Sequence, residues 1–508
     1  MKFNEDTRVK IPAATHLTRL GYNYISLKNK TFDKSTNIFT DIFIENIVRI
    51  NKAKNTDYNE KNAQNLLKDI NLLLDYEDLG KEFYKKLSSN SGEILVDFEN
   101  FENNSFHVVT ELTFKNDEDE FRPDITLLIN GMPLAFIEVK KPNNKDGIYS
   151  EINRINVRSQ NKKFRKFFNL IQIMVFSNNM PYNSDSTITM EGAFYATSSN
   201  DKPKFHFFRE KDDFNFFDNL IELDQNTEDF ILKDNNYQVI KHNVDYILNK
   251  EPDRPTNKIL TSLFLKERLA FILKFGIAYV DEFTGTEKHI MRYPQIFATK
   301  AIAQKLDEGI KKGIIWHTQG SGKTALAFYN VKFLTDFFQK KQITAKFYFI
   351  VDRIDLLVQA KKEFSKRGLK VVIVNSKQEF VNELKAFNAI SNLRGELEIT
   401  VVNIQKFSND ANVTKSTDYD INIQRVYFLD EVHRSYNPQG SFLSNLFDSD
   451  KNSIKIGLTG TPLLNQKIKI IDKKENDVKK NLIQKIFLET IFTHTTITFQ
   501  LLMVTRFV

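Results

Sequence analysis

The segment that most constrains the fold of this chain runs from Gly313 to Phe328 and reads G-I-I-W-H-T-Q-G-S-G-K-T-A-L-A-F. A short apolar run precedes a glycine-rich turn and an alanine- and leucine-rich segment, which predicts a buried strand, a loop and a helix. This order forms a phosphate-binding site, because backbone N–H groups of the loop and the positive end of the helix dipole both face an anion. The segment therefore predicts an α/β fold that binds a nucleotide.

The residues of the loop have separate tasks in nucleotide binding. Backbone N–H groups around the phosphates come from Gly320, Ser321 and Gly322. Lys323 reaches the β- and γ-phosphates, and the hydroxyl of Thr324 can ligate Mg²⁺. A chance glycine turn at the start of a helix remains the alternative interpretation of the loop alone.

Two acids follow a later apolar run that begins at Val426. Asp430 and Glu431 end this predicted strand, on the side of the sheet where a Mg²⁺-nucleotide would bind. Asp430 can hold the Mg²⁺ shell, and Glu431 can orient or deprotonate the attacking water. An isolated acid pair at a strand end is more often a solvated turn, so the assignment depends on the neighbouring segments. One of these begins at Lys455 and reads K-I-G-L-T-G-T-P, a strand that ends in a Thr/Gly turn.

The segments W-H-T-Q-G-S-G-K-T, D-E-V-H-R-S and G-L-T-G-T-P together resemble motifs I, II and III of superfamily 2 helicases and translocases. More narrowly, they resemble the motor subunit (R subunit) of type I restriction enzymes, in which a histidine at the place of His317 is usual. The resemblance extends to I-V-D-R-I-D-L at 350–356 and to T-V-V-N-I-Q-K-F at 400–407. It implies a RecA-like domain with a doubly wound parallel sheet.

The segment R-Y-P-Q at 292–295 resembles the adenine-reading Q motif of the same superfamily. The resemblance implies that Gln295 contacts the base. An amide suits this role, because it donates and accepts hydrogen bonds at one edge of adenine.

Upstream of the motor segments, the hydrophobic period changes to two from Gly92 onward. This alternation predicts successive strands over 94–96, 106–109, 124–129, 134–139, 171–177 and 191–197. R-P-D at 122–124 and E-V-K at 138–140 match the P-D…(D/E)-x-K nuclease pattern and the N-terminal domain of the same restriction family. The chemistry requires two carboxylates that share a divalent cation, Asp124 and Glu138, and a lysine, Lys140, that positions or activates water. A solvated strand pair is the alternative, since such spacings also arise by chance.

The turn between the two nuclease strands decides whether the acids meet. A three-residue loop places Asp124 opposite Glu138, with Lys140 on the same face. A two-residue loop puts the acids on opposite faces of the sheet, because side chains alternate along a strand. The nuclease interpretation therefore requires the longer loop, around Asn130–Pro133, or a β-bulge.

The segment after the nuclease lysine departs from the family pattern. The family usually carries Q-x-x-x-Y on a helix there, whereas Glu151 and Ile155 occupy those two positions, so contacts to substrate at this helix stay open. The same stretch is basic, with Arg154, Arg158, Lys162, Lys163, Arg165 and Lys166. Contact with DNA phosphates and a solvated helix face are equally consistent with these charges. Near the N-terminus, His16 lies on an amphipathic helix and is expected to be structural.

The predicted organisation is an α/β chain of two folded parts. A PD-(D/E)xK nuclease-like α/β domain covers 1–250, and 251–258 forms a linker with two prolines. One RecA-like doubly wound parallel-sheet domain covers 259–466, and 467–508 is a tail. A second RecA-like domain is expected to be absent.

The tail has two interpretations. Its final apolar stretch has the propensity of a terminal strand. Read in another frame from about Phe487, however, degenerate codons give a string similar to what type I motor subunits carry after motif III. We therefore expect the tail to be out of frame and the chain to be truncated, with negligible ATP hydrolysis and no translocation.

The composition sets broad limits on location and partners. Lys and Arg number 72 against 65 Asp and Glu, a net charge of +7 that is compatible with nucleic acid without requiring it. The absence of cysteine excludes disulfides and thiolate metal sites. No leader or membrane-length apolar run is present in the sequence, so a cytoplasmic location and no membrane partner are expected.

The resemblance implies an ATP- and Mg²⁺-dependent enzyme that translocates and cleaves unmodified double-stranded DNA. Its partners would be the methylation and specificity subunits, and S-adenosylmethionine would enter only through the partner methyltransferase. Two alternatives are a non-catalytic remnant that binds DNA or nucleotide, and an independent superfamily 2 helicase without a nuclease.

Overall fold

The computed structural model describes residues 4–28, 30–142, 147–181, 193–200, 202–210, 215–317, 320–385, 397–403, 423–430, 450–460 and 491–495. The chain forms two compact units, Met1–Tyr293 and Pro294–Val508.

The first unit contains ten α-helices and eleven strands among its described residues. The helices are α1 Ile11–Arg19, α2 Thr40–Lys52, α3 Glu60–Leu73, α4 Lys81–Leu87, α5 Gly147–Gln160, α6 Arg165–Leu170, α7 Gln225–Asp234, α8 Val244–Asn249, α9 Pro255–Phe264 and α10 Lys266–Phe275, and a π-helical turn, Asp6–Lys10, precedes α1. The strands are β1 Asn23–Tyr24, β2 Phe106–Thr110, β3 Phe114–Asn116, β4 Asp119–Phe121, β5 Ile125–Ile129, β6 Met132–Val139, β7 Ile173–Ser177, β8 Ala193–Ala196, β9 His206–Phe207, β10 Ile277–Glu282 and β11 Gly285–Ile290.

Seven of these strands form one mixed sheet in the order β1-β2-β5-β6-β7-β8-β9. The pairs β1-β2 and β6-β7 are parallel, and the remaining neighbours are antiparallel. β5, β6 and β7 are buried along their whole length. Their continuous apolar sequence is typical of central strands that are covered on both faces. An aromatic cluster joins α6 and the turn before it to β6 and β7, with Phe164, Phe167 and Phe168 packed against Phe136 of β6 and Phe176 of β7. Ile148 and Ile155 of α5 also belong to this cluster.

The hairpin between β5 and β6 combines a two-residue turn with a β-bulge. Asn130 and Gly131 both have positive φ, of 50° and 78°, as a tight primed turn requires. Next to the turn, Ile129 pairs with Met132. The register shifts between Leu127 and Leu128, so that farther from the turn Ile125 pairs with Ile137. Continuing this register places residue 124 opposite residue 138, so the bulge fulfils the geometric condition that the nuclease interpretation sets.

Two segments of the first unit differ from the sequence prediction. Residues 94–96 form no strand. They are buried, and the side chain of Asn51 bonds both the N–H and the C=O of Ile94.

The predicted linker over 251–258 also has a different structure. Pro255 is the first residue of α9, a position for which its fixed φ suits a helix as well as it suits a linker. Leu260, Leu263 and Phe264 of this helix are fully buried. The first unit continues to Tyr293, so its end lies C-terminal of the predicted linker.

The second unit is built around a sheet whose described pairings are all parallel. Its helices are α11 Tyr293–Asp307, which begins at the last residue of the first unit, α12 Lys323–Gln339, α13 Ile354–Lys366 and α14 Lys377–Lys385. The strands are β12 Lys312–His317, β13 Thr344–Val351, β14 Lys370–Val374, β15 Glu398–Asn403, β16 Ile423–Asp430, β17 Ile454–Thr459 and β18 Ile491–Thr495.

The strand order is β14-β15-β13-β16-β17-β12-β18. Alternation of helices with parallel strands confirms the predicted RecA-like α/β class. The strands predicted before the phosphate loop, from Val426 and from Lys455 all form, as β12, β16 and β17. The predictions on Thr461, Pro462, 404–407 and the parts of the tail at 467–490 and 496–508 fall outside the described residues.

Candidate functional sites

The first candidate site lies at one end of the β5-β6 pair. Asp124 immediately precedes β5 and Glu138 is the penultimate residue of β6. Oδ2 of Asp124 accepts a hydrogen bond of 2.8 Å from the N–H of Val139, which fixes this carboxylate beside the end of β6. Glu138 is only 5% exposed. The structure therefore brings together the two acids that the sequence singles out.

Lys140 completes the predicted set of three. Its backbone N–H donates to the C=O of Ser177 at 2.8 Å, so the residue extends the β6-β7 pairing by one position. Its ammonium lies 3.9 Å from Oε2 of Glu138 and donates to the C=O of Val139 at 2.9 Å. Burial alone would lower the pKa of Lys140, but nearby carboxylates outweigh burial and raise that pKa, the contributors being Asp124, Glu151, Glu138 and Glu5.

The carboxyl group of Glu138 is in an environment that suits a cation. Burial raises the pKa of Glu138 well above its ordinary value, and the charges of Asp124 and Glu151 raise it further. Oε1 of Glu138 is buried and has no hydrogen-bond partner among the described residues. An orphaned carboxylate oxygen beside a second carboxylate fits a divalent cation that prefers oxygen ligands. Within the described ranges no group of three or more His, Asp or Glu is arranged to hold a metal ion, so water or substrate oxygens would complete the coordination.

Replacing Glu138 by glutamine is expected to stabilise the metal-free protein at alkaline pH. Folding raises the pKa of Glu138. The contribution of this group to stability is therefore greatest at a pH below its pKa in the unfolded chain, and it is lost as the pH rises through its pKa in the folded protein. A neutral amide avoids that loss. We expect the unfolding free energy of Glu138→Gln in EDTA to exceed that of the wild type by about 1–2 kcal/mol at pH 8, and by less at pH 5. Urea unfolding at the two pH values measures this difference, and an equal or lower stability of the variant at pH 8 would contradict the assignment.

The second candidate site is the phosphate loop of the second unit. Strand β12 ends at His317, and α12 begins at Lys323, as predicted. Gly320 and Gly322 have φ of +79° and +81°, a backbone conformation that L side chains rarely adopt. Gly322 is the N-cap of α12, and Lys323 and Thr324 occupy its first turn, where N–H groups point out of the helix end. Ser321 is buried between the two glycines.

Asp430 lies at the same edge of the sheet as the phosphate loop. It ends β16 and pairs with Leu458 of β17, while Thr459 of β17 pairs with Trp316 of β12. One strand therefore separates Asp430 from β12, a distance of about 10 Å between backbones that a hydrated Mg²⁺ and a side chain can span. Glu431, the other predicted acid, lies outside the described residues.

Gln295 is buried beside the phosphate loop. The residue is 4% exposed on α11, and its Nε2 donates to the C=O of Gly322 at 3.2 Å. This contact ties α11 to the N-terminus of α12. The side chain predicted to read adenine is thus joined to the backbone of the phosphate loop.

Comparison with known families covers both units. Residues 2–183 match the family of the type I restriction enzyme R protein N terminus, and residues 294–491 match the SWI2/SNF2 ATPase family. The chain combines an N-terminal domain of the type I restriction R-protein family with a SWI2/SNF2 ATPase domain. These matches confirm the predicted restriction domain and the predicted helicase-like ATPase region at the level of the domains.

Curated relatives in the R-subunit family are named endonuclease subunits. The chain is 29% identical over 353 residues to the putative MjaVIIP subunit of Methanocaldococcus jannaschii, covering 66% of this chain and 28% of the relative. It is 26% identical to the putative MjaIXP subunit of the same organism, covering 91% and 43%. It is 27% identical to the SauCOLORF180P subunit of Staphylococcus aureus, covering 71% and 32%. The chain spans less than half the length of these relatives.

Solved structures that are similar to parts of this chain include two DNA complexes. One is the type ISP restriction-modification enzyme LlaBIII bound to DNA, with a TM-score of 0.26 and 15% identity over 37% of this chain and 14% of that chain. Another is the Sulfolobus solfataricus SWI2/SNF2 ATPase core with dsDNA, with a TM-score of 0.23 and 19% identity over 34% and 32%. No described helix is long and apolar enough to cross a membrane.

The departure of this chain from the R-subunit pattern at Glu151 is accommodated in the nuclease site. Glu151, on α5, is 1% exposed, and its Oε2 lies 3.4 Å from the ammonium of Lys140. Ile155, at the position of the usual tyrosine, is fully buried in the aromatic cluster. The structure thus directs Glu151 to Lys140 and Ile155 to the core.

Glu5 lies at the candidate nuclease site, and its position could not be predicted from the sequence. Its Oε1 lies 3.7 Å from the ammonium of Lys140, and its Oε2 accepts a hydrogen bond of 3.2 Å from the N–H of Lys141. Burial raises the pKa of Glu5, and Asp124 adds to this while Lys140 opposes it. A charged residue just before the N-terminal helix was the available signal, but nothing in its local pattern points to residues 124–140.

The basic stretch after α5 is largely neutralised by acids of the same unit. Arg154 and Arg158 pair with Glu151. The remaining four basic residues pair with neighbouring acids, Lys162 and Arg165 with Glu77, Lys163 with Asp117 and Asp119, and Lys166 with Asp75. These partners favour a solvated helix face over DNA contact. His16 is buried, with Nε2 2.7 Å from Oγ1 of Thr261, and burial lowers the pKa of His16 to about 3.

Proposed function

We propose that this chain carries the nuclease centre and an ATP-binding domain of a type I restriction R subunit. The enzyme cleaves unmodified double-stranded DNA and moves along it with ATP and Mg²⁺, together with methylation and specificity subunits. The observation that carries the proposal is the bulged β5-β6 register, which sets Asp124 opposite Glu138 with Lys140 beside them. A helicase without a nuclease would have no need of this arrangement.

In the proposed nuclease reaction, Asp124 and Glu138 hold the divalent cation. A Mg²⁺ ion held there would supply Lewis-acid polarisation of the scissile phosphate and would favour deprotonation of the attacking water. The hydrogen bond from Val139 orients Asp124 for this role. The ammonium of Lys140 lies beside the carboxylates, where it can orient the attacking water and offset negative charge that develops on the phosphate.

In the proposed ATP site, the loop and the start of α12 bind the phosphates. Lys323 contacts the β- and γ-phosphates, and Thr324 and Asp430 hold the Mg²⁺ shell. Glu431 would orient the hydrolytic water. Gln295 would join base recognition to the loop through its bond to Gly322.

Incubation of the full chain with supercoiled plasmid tests the nuclease proposal. We expect Mg²⁺ or Mn²⁺ to produce nicked circles and EDTA to prevent them, because the two carboxylates act through a cation. Product bands on an agarose gel measure the reaction. Cleavage that is insensitive to EDTA, or no cleavage with either cation, would contradict the proposal and favour the remnant or helicase alternatives.

A further inference from the structure

We infer that Glu151 is a positioning residue for Lys140, whose ammonium it holds at the proposed cleavage centre. The inference rests on the nuclease function proposed for Asp124, Glu138 and Lys140. It assigns a role to a residue outside the set of Asp124, Glu138 and Lys140.

The contacts of Lys140 show that its side chain needs an external anchor. Its backbone is fixed by the bond to Ser177. Its side chain has four rotatable torsions, and an unrestrained lysine has about 2 kcal/mol of rotamer entropy, so contacts of the ammonium help to order it. Among the described carboxylate oxygens that pair with the ammonium, Oε2 of Glu151 is nearest at 3.4 Å, against 3.7 Å for Glu5 and 3.9 Å for Glu138.

Glu151 is itself held rigidly, as a positioning residue must be. Its side chain is only 2% exposed, and its two oxygens also pair with Arg154 at 3.1 Å and Arg158 at 3.3 Å. The guanidinium of Arg158 stacks 4.2 Å above the ring of Phe121. Phe121 belongs to the same buried cluster as Ile148 and Ile155 of α5. A continuous set of contacts therefore joins the hydrophobic core to the lysine ammonium through Arg158 and Glu151.

Glu5 is the competing anchor, and its surroundings make it the weaker one. Its side chain is 31% exposed, against 2% for Glu151. Its bond to the N–H of Lys141 holds the N-terminal segment near the site, but no described cation other than Lys140 forms an ion pair with Glu5. A partly exposed ion pair contributes little to side-chain order, since solvent screens it.

Chemical labelling of the full chain tests the anchoring directly. Acetic anhydride acylates accessible, mobile amines, and mass spectrometry of the peptides gives the rate at Lys140 relative to exposed Lys141. We expect Glu151→Ala to raise this ratio about ten-fold or more, because a charged hydrogen-bonding partner is lost. Glu151→Gln, which keeps a hydrogen-bond acceptor, should raise it less.

Two residues of the same unit serve as controls for the labelling. Lys162→Ala removes an 84% exposed basic residue that pairs with Glu77 rather than with Glu151 or Lys140, and it should leave the ratio unchanged. Lys288, 3% exposed with its ammonium bonded to the C=O of Ile171, should stay unlabelled wherever the unit is folded. An unchanged ratio at Lys140 in folded Glu151→Ala and Glu151→Gln would overturn the inference.

Cleavage rates then separate positioning from a general structural role. If Glu151 acts through Lys140, Glu151→Ala should slow Mg²⁺-dependent nicking, and the double variant with Lys140→Ala should be no slower than Lys140→Ala alone. Full activity of Glu151→Ala beside an inactive Lys140→Ala would overturn the inference and leave the nuclease proposal intact. Full activity of Lys140→Ala would overturn both.

Discussion

Replacing Asp124 by asparagine is expected to reduce Mg²⁺-dependent nicking by about a thousand-fold. The variant keeps the size of the side chain and an oxygen that can accept from the N–H of Val139, but it removes one of the two charges that hold the cation. Metal activation supplies several kcal/mol of transition-state stabilisation, and each 1.4 kcal/mol or so corresponds to a factor of ten in rate. Initial nicking rates of the two proteins at saturating DNA measure the loss.

Glu111→Gln is a matched control for this loss. The backbone N–H of Glu111 donates to the C=O of Asp124, but its carboxylate faces Lys10 and Arg122 rather than Glu138. Removing its charge should leave nicking within about two-fold of the wild type, as expected for a partly exposed ion pair. Nicking by Asp124→Asn at the rate of this control would show that Asp124 holds no catalytic cation.

The second large effect concerns nucleotide binding by the second unit. Lys323→Ala is expected to weaken ATP binding by about a hundred-fold, because loss of one member of a hydrogen-bonded charge pair costs about 2–5 kcal/mol. The loss should be smaller for AMP, since the lysine is expected to contact the β- and γ-phosphates. Titration calorimetry with ATP and AMP in the presence of Mg²⁺ measures both affinities.

A lysine at the opposite end of the same helix provides the comparison. Lys340, the C-cap of α12, is 60% exposed and pairs with Asp336. Lys340→Ala removes the same charge from the chain without altering the phosphate loop, so its ATP affinity should match that of the wild type. Equal ATP affinity for Lys323→Ala and Lys340→Ala would exclude a phosphate-binding role for this loop.

The sequence predicted the site elements best where local chemistry determines local structure. The start of α12 at Lys323 follows from glycines that enter a helix, and the strands β12, β16 and β17 follow from apolar runs bounded by turns. Each of these elements is determined by residues that are close together in the sequence. Tertiary packing leaves their positions unchanged.

The nuclease hairpin shows where sequence reasoning ends. The acids could be identified, but a longer loop and a bulge remained equally consistent with their spacing. The structure has the bulge, because the Asn130-Gly131 turn is tight and is packed against α2. A Cβ atom at Gly131 would lie 2.6 Å from the carbonyl oxygen of Phe39, so no residue with a side chain fits at this position. This constraint comes from a helix about ninety residues upstream and is invisible in the local pattern.

Glu5 and Glu151 illustrate the same limit for the site residues. Glu151 was visible only as a departure from a family motif, and its salt bridge with Lys140 depends on the packing of α5 against β6 and β7. Glu5 reaches the site from the N-terminus of the chain. Contacts between residues so far apart in sequence are set by the whole fold, so single-sequence periodicity carries no signal for them.

The most direct test of the central claim is a Mn²⁺ titration of the nucleotide-free chain, followed by the electron paramagnetic resonance signal of free Mn²⁺. The account predicts that the wild type binds Mn²⁺ and that Asp124→Asn and Glu138→Gln each lose this binding, while Glu111→Gln retains it. Equal Mn²⁺ binding by all four proteins, or none by the wild type, would contradict a divalent-cation site between Asp124 and Glu138.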